Sequence, residues 1–219
     1  AHWKASDTHD INFGINGRML HDTTEGTSNF YFHQPSATDR WISGYIQDDI
    51  TLVPDKVRLT VGTKLEYNNF TGFEIQPNVR LLIKPTKNLS LWGAVSRAVR
   101  TPSRFERSAS LSFGVDLPGS ATNPYPVPLY TTLNGVPNHG SEDLVAFEAG
   151  ARANLGGNWS LDIAGYYNRY SKLTISTPTS IDPLFVTGIP FPVGVRVNVA
   201  LAGVGSAQTW GTEVSLAGN

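Results

Sequence analysis

The chain has 219 residues, with 17 Lys+Arg against 18 Asp+Glu and no cysteine. Balanced charge leaves no global basic footprint for nucleic acid, and the lack of thiols excludes disulfide scaffolds, zinc knuckles and thiol catalysis. Mean hydropathy is −0.19, and no run approaches the roughly 18 consecutive apolar residues of a membrane helix, which excludes helical spans only.

In chain order the hydrophobic pattern predicts nine strands, at about 9–20, 38–52, 56–68, 73–84, 88–98, 143–155, 158–174, 194–203 and 207–217. The stretch from Val57 shows the pattern most clearly. Val57, Leu59, Val61, Thr63, Leu65 and Tyr67 alternate with Arg58, Thr60, Gly62, Lys64, Glu66 and Asn68. Successive strand side chains point to opposite faces, so one face is apolar and the other charged. Phe73, Ile75, Val79, Leu81 and Ile83 repeat the pattern against Glu74, Gln76, Asn78 and Arg80. Such runs reach about ten residues or more, against roughly five to six for an ordinary strand. That length, with a polar second face, suits a strand crossing a bilayer in a barrel.

The connections sort by length. Segments 53–56, 85–87, 156–157 and 204–206 read as tight turns, whereas 21–37, 99–142 and 175–193 are long, with a further short link at 69–72. Short turns on one rim and long loops on the other define an up-and-down meander. The fold class expected is therefore all-β: an antiparallel meander of about nine long strands, forming a segment of a transmembrane β-barrel.

Aromatic placement agrees. Trp159 and Tyr167 share a face eight residues apart, roughly 26 Å along a strand, close to the spacing of two aromatic girdles. Tyr67 and Phe73 are expected on the loop-side girdle and Trp210 on the turn side. Lys64, Glu66, Glu74, Arg80, Glu148, Arg152, Asp162 and Glu213 fall on the polar faces, where opposite charges can pair across strands.

Several segments resemble the barrel of TonB-dependent outer-membrane receptors. They are Gly44–Asp49 (GYIQDD), Leu59–Tyr67 (LTVGTKLEY) and, most specifically, Leu91–Ser103 (LWGAVSRAVRTPS). Ser141–Arg152 (SEDLVAFEAGAR), Trp159–Asp162 with Tyr166–Tyr170, and Gln208–Val214 are similar to the family's later strands, in the family's order. The resemblance covers most of 38–217. It implies a bacterial outer-membrane wall for energy-coupled import of a scarce nutrient such as a ferric siderophore or cobalamin. It also implies outer-membrane lipid and lipopolysaccharide around the wall, and TonB as the energy-coupling partner through N-terminal regions. No plug domain, N-terminal box or signal peptide is recognised, and Leu216–Asn219 lacks a terminal aromatic. Residues 1–219 are accordingly expected to be an internal to C-proximal part of the barrel. Open sheet edges in such a segment invite edge-to-edge self-association.

Within 99–142 the candidate ligand contacts are Arg100, Arg104, Arg107, Phe113, Tyr125, Tyr130 and His139. Arginines bind anions through paired hydrogen bonds, and aromatic rings provide apolar platforms. The same arginines also suit lumen-wall charges or lipopolysaccharide phosphates. No metal or cofactor is expected, because His2, His9, His21, His33 and His139 are scattered without ligand spacing. No G-x-S-x-G elbow or isolated carboxylate pair is present, so no enzyme is expected. Glu66 and Glu74 should be neighbours across a hairpin, in lumen ion pairs. The alternative architecture is a soluble β-sandwich that recognises sugar or peptide through its long loops.

Overall fold

Backbone groups in a strand must find partners on neighbouring strands, and this chain satisfies them in one twelve-stranded sheet. The computed structural model describes residues 1–218. The elements are β1 (His2–Lys4), β2 (His9–Thr23), β3 (Phe30–Phe32), β4 (Ser36–Val53), β5 (Val57–Asn68), β6 (Gly72–Thr86) and β7 (Leu89–Arg100). They continue with a short helix α1 (Arg104–Ser108), β8 (Ala109–Asp116), β9 (Leu129–Asn134), β10 (Glu142–Gly156), β11 (Trp159–Leu184) and β12 (Gly194–Gly218). Their order in the sheet is β1-β2-β4-β5-β6-β7-β10-β11-β12-β9-β8-β3. No second sheet packs against this one among the described residues, so the sandwich alternative does not form.

The long strands β2, β4–β7 and β10–β12 are the expected antiparallel meander. Turn chemistry explains its tight rim. Pro54 presets φ, Asp55 takes a left-handed φ of 59°, and the Lys56 N–H donates to the Val53 carbonyl. Gly157 and Asn158 both have positive φ and close the β10–β11 hairpin in two residues. On the opposite rim the buried Asn68 carboxamide accepts the N–H groups of Phe70 and Thr71 and so shapes the β5–β6 hairpin.

Register assigns the two faces. Val61 opposes Val79, Leu65 opposes Ile75, Leu59 opposes Leu81 and Ile163 opposes Ala151 on the outward face. The outward residues Val61, Leu65, Ile75, Leu81, Ile163 and Tyr167 are all exposed. The inward face pairs Glu66 with Glu74, Lys64 with Gln76 and Arg152 with Asp162. Lys64 reaches Glu66 at 2.7 Å and Arg97 approaches Glu74 at 3.7 Å. Arg80 instead stacks over Trp92, 5.8 Å from its ring centroid.

Several expectations need correction. Segments 194–203 and 207–217 are a single strand, β12, and Val204–Ser206 is no turn. Bulges in β11 near Ser171, Leu173 and Pro178 let β12 run straight opposite it, so the ladder never has to reverse. The glycines serve close approach instead: a Cβ on Gly205 would stand 2.9 Å from the Leu173 carbonyl. Trp210 consequently opposes Tyr167 and belongs to the loop-side aromatic row, away from the turn side. The segments read as loops are largely ordered. β11 continues into 175–193 as far as Leu184, opposite the start of β12 at Gly194, while 99–142 contains α1, β8 and β9. β9 pairs parallel to β12 from Val195 to Ala200, a departure from the purely antiparallel expectation. β1 and β3 also lie outside the expected strands.

Inward aromatics lie over cross-strand glycines. A Cβ on Gly150 would meet Trp92 at 2.6 Å and the Ile163 carbonyl at 2.8 Å, whereas one on Gly93 makes only ordinary contact at 3.7 Å. Gly150→Val should therefore destabilise the folded sheet by about 1–3 kcal/mol through overpacking. Gly93→Ala, on the outward face, should cost little. Urea midpoints of the two variants in detergent check both outcomes.

Candidate functional site at the loop-side rim

Beyond the aromatic row, the rim is built from strand ends and the helix that follows β7. Ser103 begins α1 by accepting the Glu106 N–H, and the Glu106 carboxylate returns to the Ser103 N–H at 2.7 Å. This capping box satisfies otherwise orphaned backbone donors at the helix start. The same carboxylate meets Arg100 at 2.6 Å. Arg100 also grips Glu142 at 2.7 and 2.6 Å and donates to the Thr174 hydroxyl at 3.1 Å. One guanidinium thus ties the ends of β7 and β10 to α1 and β11.

Electrostatics follow from this geometry. Hydrogen bonds from Arg100 hold the Glu106 and Glu142 carboxyls down at about 2, against the opposing effect of burial. The two carboxylates raise the Arg100 pKa further, with the Glu142 hydrogen bond the largest cause.

Arg104 and Arg107 fasten α1 to the inward face of the first hairpin. Arg104 contacts Asp22 at 2.5 Å, donates to the Gln34 and Pro35 carbonyls, and lies 4.5 Å over the Phe32 ring. Arg107 contacts Asp39 at 2.5 Å and lies 4.0 Å over Phe70. Both side chains are largely buried. All three candidate arginines are therefore engaged within the chain.

The other candidates are dispersed. Phe113 is exposed on β8, on the same sheet face as Leu111, Leu133 and Val199. Tyr130 is exposed on β9 and shares the opposite face with Thr132 and Arg196. Tyr125 is half-buried beside Asn123, which accepts its N–H at 3.0 Å and spans the Asp116 and Val127 carbonyls. His139 is buried, with Nε2 2.9 Å from the Thr174 hydroxyl. Thus Arg104 and Arg107 come together on α1, and Phe113 and Tyr130 are separated onto two faces. Sequence reasoning missed the partners Asp22, Asp39, Glu106, Glu142 and Thr174. Only Glu106 carried a local signal, the Ser103-x-x-Glu106 capping pattern. Among the described residues no group of three His, Cys, Asp or Glu side chains is placed to hold a metal ion.

Because the folded-state values of Glu106 and Glu142 are depressed, their stabilisation is full above the ordinary value of 4.5 and is lost as pH falls toward about 2. Amide exchange at 103–110, corrected for its intrinsic pH dependence, should accelerate across that window. Arg100→Ala should produce the same loosening at neutral pH, by about tenfold or more, since hydrogen bonds to charged groups contribute about 1.5–3 kcal/mol. Hydrogen-exchange mass spectrometry of the two proteins provides the check.

Residues 2–219 match the family described as TonB dependent receptor-like, beta-barrel. Among solved structures, the chain is similar to the ferric enterobactin receptor PfeA from Pseudomonas aeruginosa, with 18% identity and a TM-score of 0.73. That likeness covers 94% of this chain and 30% of PfeA. The siderophore receptor PirA from Acinetobacter baumannii is 16% identical with a TM-score of 0.71, over 95% of this chain and 31% of PirA. The copper transporter OprC is more distant, at 12% identity and a TM-score of 0.58, over 98% of this chain and 33% of OprC. At these identities the likeness shows the fold, and the chain spans about a third or less of these relatives. No curated protein sequence matches it.

Proposed function

The chain belongs to the TonB-dependent receptor β-barrel family, and from that premise we propose that it forms part of the lipid-facing wall of an outer-membrane receptor. The family consists of receptors and transporters of the outer membrane, and the reading assigns this chain no enzymatic role. The observation that carries the proposal is register. Residues from β5, β6, β10, β11 and β12 fall on one apolar outward face, with Trp159 and Tyr167 bounding it roughly 26 Å apart along β11. The inward face supplies polar side chains suited to a wet lumen.

The whole receptor would bind a scarce nutrient outside and import it with energy delivered through TonB. A ferric siderophore is the preferred cargo, supported by likeness to an enterobactin receptor and a siderophore receptor. In this reading 1–219 is a barrel part whose segment 99–142 contributes ligand contacts. Arg100, Arg104 and Arg107 hold the segment in place while remaining part of the candidate set. Phe113, Tyr125 and Tyr130 offer aromatic surface, and His139 braces β11. The edges of β1 and of lower β12 would pair with further strands or with a second copy.

Spin labels at Val61, Leu65, Ile75, Leu81, Ile163 and Tyr167 should be accessible to lipid-soluble oxygen and shielded from polar quenchers in the membrane-embedded protein. Water accessibility at these positions would refute the wall assignment. For the ligand, Phe113→Ala and Tyr125→Ala should each weaken ferric enterobactin binding by roughly 1–2 kcal/mol if the rings are contacts. Unchanged titration calorimetry in both variants would remove them from the site.

A further inference from the structure

One outward row is apolar or aromatic at every strand except β4. It runs from Ile11 on β2 through Asp48 on β4 to Val61, Val79, Val95, Phe147, Tyr167 and Trp210. Asp48 lies roughly 20 Å along β4 from Ile42, which opposes Tyr67 of the loop-side aromatic row. It stops roughly 16 Å short of Val53 at the tight turn. Allowing for strand tilt, the carboxylate stands about 15 Å below the loop-side row, inside a band about 25 Å tall.

The carboxylate has one partner on this face. His9 opposes Ile50, on the diagonal from Asp48, and its Nδ1 lies 2.6 Å from Asp48 Oδ2. Among the described residues the other carboxylate oxygen, Oδ1, is buried without a hydrogen-bond partner, and His9 Nε2 is unpartnered as well. Hydrocarbon supplies neither donor nor acceptor, so both orphans are costly in a lipid-facing wall. Ionisable residues at such depth occur where protein groups pair with them. Each copy of the protein thus carries one free nitrogen and one free oxygen, side by side on the β2–β4 seam.

We propose that the β2–β4 seam joins two copies of the protein within the membrane, His9 Nε2–H of each donating to the partner subunit's Asp48 at Oδ1. The proposal rests on the wall assignment made above. One free nitrogen and one free oxygen per copy match a second copy without remainder. A two-fold axis along the membrane normal sets β2 of one copy against β4 of the other, so each free nitrogen meets a free oxygen. With both ring nitrogens protonated, each imidazolium lies between two carboxylates and each carboxylate between two imidazoliums. Two positive and two negative charges then close a neutral ring, leaving no uncompensated charge in hydrocarbon. Ile11, Phe13 and Ile46 supply apolar contact around it. This contact uses the outward face and leaves the sheet edges to other strands.

The test is thiol cross-linking of the protein carrying this chain, in isolated outer membranes. The chain has no cysteine of its own, and the unsubstituted protein is run alongside. Oxidation with copper phenanthroline should link Ile11→Cys, on the seam, into a covalent dimer. Leu81→Cys, outward on β6, should stay monomeric. Combining His9→Leu and Asp48→Leu with Ile11→Cys should cut the dimer yield by about tenfold or more, because two charge-assisted hydrogen bonds are lost. Leucines suit a lipid-facing position, so this variant keeps the wall intact. A dimer yield no higher for Ile11→Cys than for Leu81→Cys, or undiminished by the two leucines, would overturn the proposal. A cross-link to a chain of different mass would reveal an unlike partner and overturn it too. A spin label at Leu81 separates the two levels of failure. If it is lipid-accessible while Ile11→Cys remains monomeric, only the contact is lost. If it is water-accessible, the wall assignment falls with it.

Discussion

Everything in this sheet depends on register being held without a slip through the band between the aromatic rows. A one-residue shift would turn the apolar set of a strand inward and expose charge to lipid. The irregularities are placed accordingly. Shifts at Thr51/Val53, Ile83/Thr86 and Asn154/Gly156 lie beside the tight turns. Those at Ser171/Leu173, Leu173/Thr174 and Pro178/Ser180 lie beyond Tyr167 on the loop side. β2 and β4 pair from His9 to Thr23 with no shift at all. Bulges re-aim side chains, and here they do so only where the outward face no longer has to be apolar.

Side chains at the loop-side strand ends join elements that the ladder cannot. Pro77 has no N–H to donate, and the pairing of β6 with β7 stops at Asn78 and Ser96. Just above, Arg97 donates to the Ile75 carbonyl and pairs with Asp143. A side chain thereby bridges the gap where two strands diverge. The neighbouring Arg100 does similar work for α1. These contacts are half-exposed ion pairs, individually weak beside the continuous ladders. They position the rim, whereas the backbone hydrogen bonds and the register hold the wall.

How much of this was legible in the sequence follows from the range of each interaction. The expected strand 56–68 is Val57–Asn68 in the structure, and 73–84 is Gly72–Thr86. Period-two alternation is local, so it can be read directly. Glu66 and Glu74 were placed together because a short hairpin fixes their register. By contrast, Gly203-Val204-Gly205-Ser206 carries the composition of a turn. Its meaning depends on Leu173 and Ile175 in another strand, which no local pattern encodes. The misplacement of Trp210 followed from that single error. Likewise Arg104 and Arg107 find Asp22 and Asp39 across long stretches of chain, so their charges looked free until the fold brought those partners to them.

The extension of β11 and β12 past the aromatic row alters what a loop means in this molecule. β9 adds to β12, β8 adds to β9 and β3 adds to β8, so the longest connection is folded onto the sheet itself. On its other side, α1 is pinned to β2 and β4 by Arg104 and Arg107. The strands are thus linked across the loop rim, while lower β12 keeps an unpaired edge toward the turns among the described residues. Phe113 and Tyr130 stand on strands of this extended sheet, so their positions are set by backbone pairing and not by loop excursions. Side chains carried this way gain precision from the scaffold. Between β8 and β9 the buried Asn123 spans the Asp116 and Val127 carbonyls and accepts the Tyr125 N–H, so this connection too is held from within.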